Sequence, residues 1–191
     1  DLVLLIDYGG FNLNISNFLK KAGIKVFYYI PPQIWASRKW RIKTVKKNIS
    51  KVMTIFPFEK EMYEKEGIDA QFVGHPLITQ MPPCANRDEV FEKYGLDKNK
   101  KLISIFPGSR TFELHNLMKT FLKSAALIAQ KRDDVQFVIA QADSLKDDVF
   151  KKYLGKTDIK VIKSDNYSLL SVSDALMLAS GTVALEAALY T

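Results

Sequence analysis

Little in this chain can form a disulfide, ligate a metal or cross a bilayer. A single cysteine, Cys84, excludes an internal disulfide and any multi-cysteine zinc site, and it suits a reducing cytosolic setting. The two histidines, His75 and His115, are far apart, and no carboxylate cluster has metal-ligand spacing, so no metal and no cofactor is expected. No apolar run approaches the roughly 20 residues that span a bilayer. There is no internal repeat and no low-complexity tract. No signal peptide is visible, but Asp1 opens directly on the strand-like run Leu2–Ile6 with no Met before it. The chain closes at Thr191, in or just after a helix, and so reads as a piece of a longer protein cut at both ends.

Acid is also missing from one stretch. Between Arg38 and Lys51 stand Arg38, Lys39, Arg41, Lys43, Lys46, Lys47 and Lys51 with no Asp or Glu, while the whole chain carries a net charge of +7. The rest is therefore nearly balanced, and this segment prefers an anionic partner: a membrane surface, a nucleic acid or a phosphorylated substrate.

What is present is a core-forming α/β pattern. Hydrophobic residues make up 47% of 191, enough for a real core. Strand-like runs at 3–6, 26–30, 52–56 and 72–73 alternate with helical stretches at 12–22, 35–48 and 58–66. After a proline-bearing loop (Pro76, Pro82, Pro83) and a short helix at 87–94, alternation restarts with strands at 102–106, 135–140, 159–162 and 175–178. The helices expected between and after them lie at 112–130, 145–153, 167–171 and from Thr182 onward. Such alternation with apolar strands predicts parallel sheets covered by helices on both faces. The break near residue 97 divides it into two Rossmann-like, doubly wound domains, 1–97 and 98–191, both incomplete.

Two turns stand out. Ala179-Ser180-Gly181-Thr182 follows the last strand and opens a helix, where free backbone N–H groups and the helix dipole suit a phosphate. Glu186 lies one turn after Thr182 on the same side, at a distance that suits ribose hydroxyls. The Ala- and Leu-rich helix around it reads as buried. Pro107-Gly108-Ser109-Arg110 follows another strand: Gly108 permits close approach, Ser109 offers a hydroxyl and an N–H, and Arg110 a bidentate fork. Each turn alone also fits an ordinary capped helix start. Together in one α/β domain they favour a nucleotide diphosphate.

Three other features carry alternatives. Trp35, Ile42, Val45 and Ile49 recur at helical spacing with Arg38, Lys39, Trp40, Arg41, Lys43, Lys46 and Lys47 among them. One basic helix of this kind lies on an anionic bilayer or turns its stripe to the core. Asp7, just past a strand end, is placed for general-base work or for a turn. His75, in Gly74-His75-Pro76, touches a ligand or holds the loop, and His115 reads as a surface helix residue.

Taken in order, Asp7-Tyr8-Gly9-Gly10-Phe11-Asn12, Pro31-Pro32-Gln33-Ile34-Trp35-Ala36, Phe56-Pro57-Phe58-Glu59, Val73-Gly74-His75-Pro76, Pro107-Gly108-Ser109-Arg110 and Ser180-Gly181-Thr182 to Glu186 resemble the lipid-A-disaccharide synthases. These are glycosyltransferases of the two-Rossmann-domain (GT-B) type, and the resemblance covers nearly the whole chain. It implies transfer of 2,3-diacylglucosamine from UDP-2,3-diacylglucosamine to 2,3-diacylglucosamine 1-phosphate, giving a β-1,6 disaccharide and UDP, a step of lipid A and lipopolysaccharide biosynthesis. It further implies a donor between the domains with UDP held mainly by the second: Gly108, Ser109 and Arg110 on phosphates or sugar, Ser180, Gly181 and Thr182 on the diphosphate, Glu186 on the ribose, and no metal. Attachment to the inner face of the cytoplasmic membrane is implied as well. No nucleic-acid partner is expected, because the basic run lies on one helix, no recognition module is present and the rest of the chain is nearly neutral.

One position departs from the resemblance. The expected pattern reads Asp-x-Pro-Asp-Phe-Asn, its second Asp the general base. Gly9 and Gly10 stand where Pro and that Asp are expected, leaving Asp7, another group, or an impaired enzyme. As a piece, the chain is expected not to turn over. Another UDP-N-acetylglucosamine enzyme of the same fold, or a non-catalytic nucleotide-sugar or anionic-lipid binding protein, are the alternatives.

Overall fold

The computed structural model describes residues 1–155 and 157–190; Lys156 and Thr191 lie outside them. The chain forms two compact units, Asp1–Gln80 and the remainder from Met81.

The first unit is a parallel sheet in the order β1-β2-β3-β4, with β1 at Leu2–Ile6, β2 at Lys25–Tyr29, β3 at Lys51–Thr54 and β4 at Ala70–Phe72. Helices α1 (Gly9–Lys21), α2 (Ile42–Asn48) and α3 (Pro57–Lys65) connect them, and α4 is the single turn Leu77–Gln80. Helix α1 stops where Gly23 takes φ +71°, a left-handed conformation that glycine adopts without steric cost. Leu13 and Leu19 of α1 and Val45 of α2 bury against Val26, Tyr28 and Val52 of the sheet.

The second unit orders its parallel strands β7-β6-β5-β8. These are β5 at Lys101–Phe106, β6 at Val135–Gln141, β7 at Lys160–Lys163 and β8 at Ala175–Leu178. Helices α5 (Arg87–Tyr94), α6 (Thr111–Ala129), α7 (Asp147–Leu154), α8 (Asn166–Val172) and α9 (Thr182–Ala188) flank it. Two apolar clusters cover it, one built on Phe91, Leu102, Val138, Ile162 and Leu169, the other on Ile105, Leu114, Met118, Ile139 and Phe150. Parallel strands under helices give the expected Rossmann-like class.

The units divide after Gln80 and not near residue 97. Helix α5 belongs to the second unit because its side chains are spent there. Val90 and Phe91 enter that unit's core, Arg87 binds Asp174 at 2.7 Å, and Lys93 binds Asp165 at 2.8 Å. The single basic helix expected over 35–48 is also corrected. Residues 33–38 follow Pro31 and Pro32 without helix, Arg38 turns left-handed at φ +54°, Lys39–Arg41 make one 3-10 turn, and only α2 is α-helical.

Candidate functional site

The second sheet reverses direction at β5. From β5 the chain builds outward through β6 and β7, then crosses back to lay β8 on the other side of β5. In open parallel sheets such a switch point parts the loops at the carboxyl ends of the two strands and leaves a crevice. Phe106 pairs in register with Leu178, and the Ala179 N–H donates to the Phe106 carbonyl at 2.9 Å, so both loops leave the sheet at one level. A cavity of about 470 Å³ lies there, lined among others by Gly108, Ser109, Arg110, Ser180, Gly181, Thr182 and Glu186. The two turns singled out in the sequence therefore share one cavity.

Their donors are in different states. Glu113, a residue the sequence reading passed over, reaches back across the 108–110 loop. Its carboxylate accepts from the Ser109 N–H at 2.9 Å, the Arg110 N–H at 3.2 Å and Arg110 Nη1 at 3.0 Å. The Ser109 amide first, then the Arg110 amide and guanidinium, hold the Glu113 carboxyl below the usual carboxylate range. Gly108, at φ +107°, leaves room for it: a Cβ there would stand 2.4 Å from Glu113 Oε2. Ser144 Oγ donates to the Ser109 carbonyl at 2.7 Å and fixes the loop from the β6 side. The signal was present, since an acid three residues after a helix N-cap is a capping box. At the other turn Gly181, φ +146°, precedes α9 without a side-chain cap.

Asn166, the first residue of α8, also lines the cavity, and its Oδ1 is buried with no hydrogen-bond partner. A buried acceptor left unpaired costs free energy that a ligand's N–H or O–H would recover. Glu186 lines the wall with Oε1 3.4 Å from the Tyr167 hydroxyl, whose acidity is lowered by burial and then by the Glu186 charge. The expectation that α9 is buried fails. Only Ala187 is buried, with Val183 and Tyr190 packed beside it on one face, and Leu185 and Leu189 face solvent.

In the first unit Asp7 and Tyr8 follow β1 with φ +45° and +43°. Non-glycine residues rarely adopt this conformation, and surrounding bonds must hold it. Asn12 Nδ2 donates to the Ile6 and Asp7 carbonyls at 2.9 and 2.7 Å, and the Tyr28 hydroxyl donates to the Asp7 carbonyl at 2.7 Å. Burial pushes the Tyr28 phenol up to about 12. A second cavity, about 410 Å³, is lined by Asp7, Gly9, Ile30, Pro31, Pro32, Gln33, Ala36, Ser37 and Arg41.

The basic segment serves several ends. Val45 and Ile49 are core residues and Ile42 packs beside them. Trp35 donates its indole N–H to Glu59 Oε1 at 3.0 Å and meets Phe58 edge-on at 5.3 Å, so it packs on α3. Arg38, Lys39, Trp40, Lys43, Lys46 and Lys47 are exposed, and Arg41 is half-buried. His75 Nδ1 accepts from the Leu77 N–H at 3.2 Å and caps α4, whereas exposed His115 lies 3.2 Å from the Tyr153 hydroxyl. Among the described residues no three or more His, Cys, Asp or Glu gather as metal ligands, and no helix is long and apolar enough to cross a membrane.

The family model described as lipid-A-disaccharide synthetase matches residues 1–191. The chain belongs to the lipid-A-disaccharide synthase family. It is 42% identical over 189 residues to the lipid-A-disaccharide synthase of Coxiella burnetii (strain Dugway 5J108-111), covering 99% of this chain and 50% of that protein. It is 39% identical over 191 residues to that of Geobacter metallireducens, with the same coverage. The chain thus spans about half the length of these relatives. Among solved structures, one titled "S. aureus MnaA-UDP co-structure" superposes with TM-score 0.64 at 15% identity, over 96% of this chain and 54% of that one. This supports the GT-B type of fold. In this chain Asn12 holds the turn on which Asp7 stands, through the Ile6 and Asp7 carbonyls.

Proposed function

We propose that the protein carrying this chain is a glycosyltransferase that moves 2,3-diacylglucosamine from its UDP derivative to 2,3-diacylglucosamine 1-phosphate. UDP binds the switch-point cavity of the second unit. The observation that carries this reading is the meeting, in one cavity, of two helix-start turns, Arg110, Glu186 and an orphaned Asn166 acceptor.

The diphosphate takes the amides at Ser180, Gly181 and Thr182, and Arg110 turns from Glu113 to a phosphate oxygen. Glu186 accepts from the ribose, and Asn166 Oδ1 accepts from a nucleoside N–H or O–H. In the reaction the acceptor's 6-hydroxyl oxygen forms a bond to C1 of the donor sugar as the bond from C1 to the β-phosphate oxygen breaks. UDP leaves with the bonding pair, and the hydroxyl proton passes to a base, for which Asp7 is the candidate on this chain. Arg110 and the helix-start amides meet the charge growing on UDP, a role for which no metal is required. The exposed Lys39, Trp40, Lys43, Lys46 and Lys47, with Arg38, suit peripheral attachment to the inner face of the cytoplasmic membrane, where both acylated substrates reside.

Calorimetric titration of the chain with UDP tests the donor site. Saturable binding is expected, weakened roughly tenfold by Glu186→Ala, the size of one charged hydrogen bond, and unchanged by Asp7→Asn. Equal affinity in the Glu186 variant would remove the assignment. Transfer is tested on a protein carrying this chain at its relatives' full length, where UDP release should require the acylated sugar phosphate. Gly10, in place of the expected Asp, favours a second reading: a nucleotide-sugar binding protein without transfer. UDP binding with no release under any acceptor would support it.

A further inference from the structure

We propose that the cavity beside Asp7 is a phosphomonoester site in which Arg41 grips the phosphate of the sugar acceptor. The proposal rests on the glycosyltransferase reading above and names where that second substrate's charge is held.

The cavity lies at the carboxyl ends of β1 and β2, the edge at which open parallel sheets present ligands. Arg41 lines it, yet forms no ion pair among the described residues; its recorded ring contact is with Trp40, 5.7 Å from the centroid. Asp7 lines the same cavity without pairing to it. No other acid does, and none occurs between Arg38 and Lys51. A half-buried guanidinium with no carboxylate partner is a strong bidentate donor to an incoming phosphate.

Gly9 makes the approach possible. A Cβ at that position would stand 3.1 Å from Arg41 Nη1 and 2.9 Å from Pro32 Cγ, so the guanidinium occupies room that a larger residue would take. Of the five non-glycine residues with positive φ among those described, Asp7 and Ile30 line the cavity, and Tyr8 and Arg38 adjoin lining residues. Strained conformations gather where a ligand is clamped. Tyr8 and Phe11, stacked at 6.1 Å and exposed, flank Gly9 and Gly10 in sequence and set apolar surface beside the anion site. That combination suits a phosphate carried on an acylated sugar. Arg41 thereby leaves the group of residues assigned to the bilayer and becomes a substrate-binding residue. Asp7 stays unpaired and open to a hydroxyl of the same ligand.

The test is a proton–nitrogen NMR titration of the chain with glucosamine 1-phosphate, glucosamine and UDP. Glucosamine 1-phosphate should shift the amides of Gly9 and Ser37, whereas glucosamine at equal concentration should not. Arg41→Ala should weaken the phosphate response roughly tenfold, as expected for one charged contact, with Arg41→Lys between it and the parent. UDP should shift Gly181 and Thr182 equally in all three proteins. Silence at Gly9 and Ser37 with UDP shifts intact overturns this site and leaves the donor reading standing. Shifts at Gly9 and Ser37 with silence at Gly181 keep the phosphate site and remove the donor reading. Vesicles of phosphatidylglycerol and phosphatidylcholine supply the last arm. Binding to them should survive Arg41→Ala; its loss, with no response to glucosamine 1-phosphate, would assign the cavity to lipid headgroups and overturn the proposal.

Discussion

In the first unit the chain lays β1 to β4 side by side in sequence order, whereas in the second it builds β5, β6 and β7 outward and returns to set β8 across β5. The same parts, four parallel strands and their helices, thus open cavities by different means. Reversal at β5 separates two neighbouring loops, and the crevice comes from topology. In the first unit no reversal occurs among the described residues, and the cavity comes from local backbone: left-handed turns at Asp7, Tyr8 and Ile30, then Pro31 and Pro32. A cavity set by topology tolerates change in its lining, while one set by strained turns depends on each clamp that holds them.

The largest effect should come from the core that defines the second unit. Phe91→Ala is expected to cost about 3–5 kcal/mol in urea denaturation, because Phe91 is buried with the Arg87 guanidinium 4.4 Å from its ring. A cost below about 1 kcal/mol would detach α5 from that unit. The next contrast pairs two glycines. Gly108→Ala places a methyl against Glu113 at φ +107° and should lower stability by about 1–3 kcal/mol with weaker UDP binding. Gly10→Ala meets nothing within 4 Å inside α1 and should raise stability by up to about 1 kcal/mol. Equal effects at the two positions would erase the distinction between them.

The smallest effect concerns Glu59, buried, with Oε2 unpartnered. Burial raises its carboxyl above the ordinary 4.5, the Trp35 hydrogen bond acting the other way. Between the unfolded and the raised folded value the native state binds more protons. This contribution is therefore full below about 4.5 and is lost as pH rises through the folded value. Glu59→Gln keeps an acceptor for Trp35 and should flatten that part of the stability profile, read by thermal unfolding across pH. An unchanged profile would mean that Glu59 titrates alike in the folded and unfolded chain, and would remove the effect of its burial.

Strands were legible because parallel strands are apolar runs between turn residues; β8 spans Ala175–Leu178 as expected and α5 spans Arg87–Tyr94. Residues 35–41 were misread because the helical spacing of Trp35 with Ile42 is met by two different partners, the indole by Glu59 and the isoleucine by the core. The two turns that share a cavity were legible from glycine at a strand end. Asn166 was not, since its interest lies in an acceptor that packing leaves unpaired. Asp7 was visible as a carboxylate past a strand. Its left-handed backbone was not, because Tyr28, which helps hold it, lies on the neighbouring strand.

Glu113 places an anion of the chain's own across the 108–110 loop. The carboxylate pairs with Arg110 and satisfies the Ser109 and Arg110 amides, so the chain itself braces the loop. Under the proposed donor site, a phosphate drawing on those same donors would trade places with a resident anion. On that reading, affinity would be the difference between two similar charge contacts, and a variant without the Glu113 carboxylate should hold the anion longer.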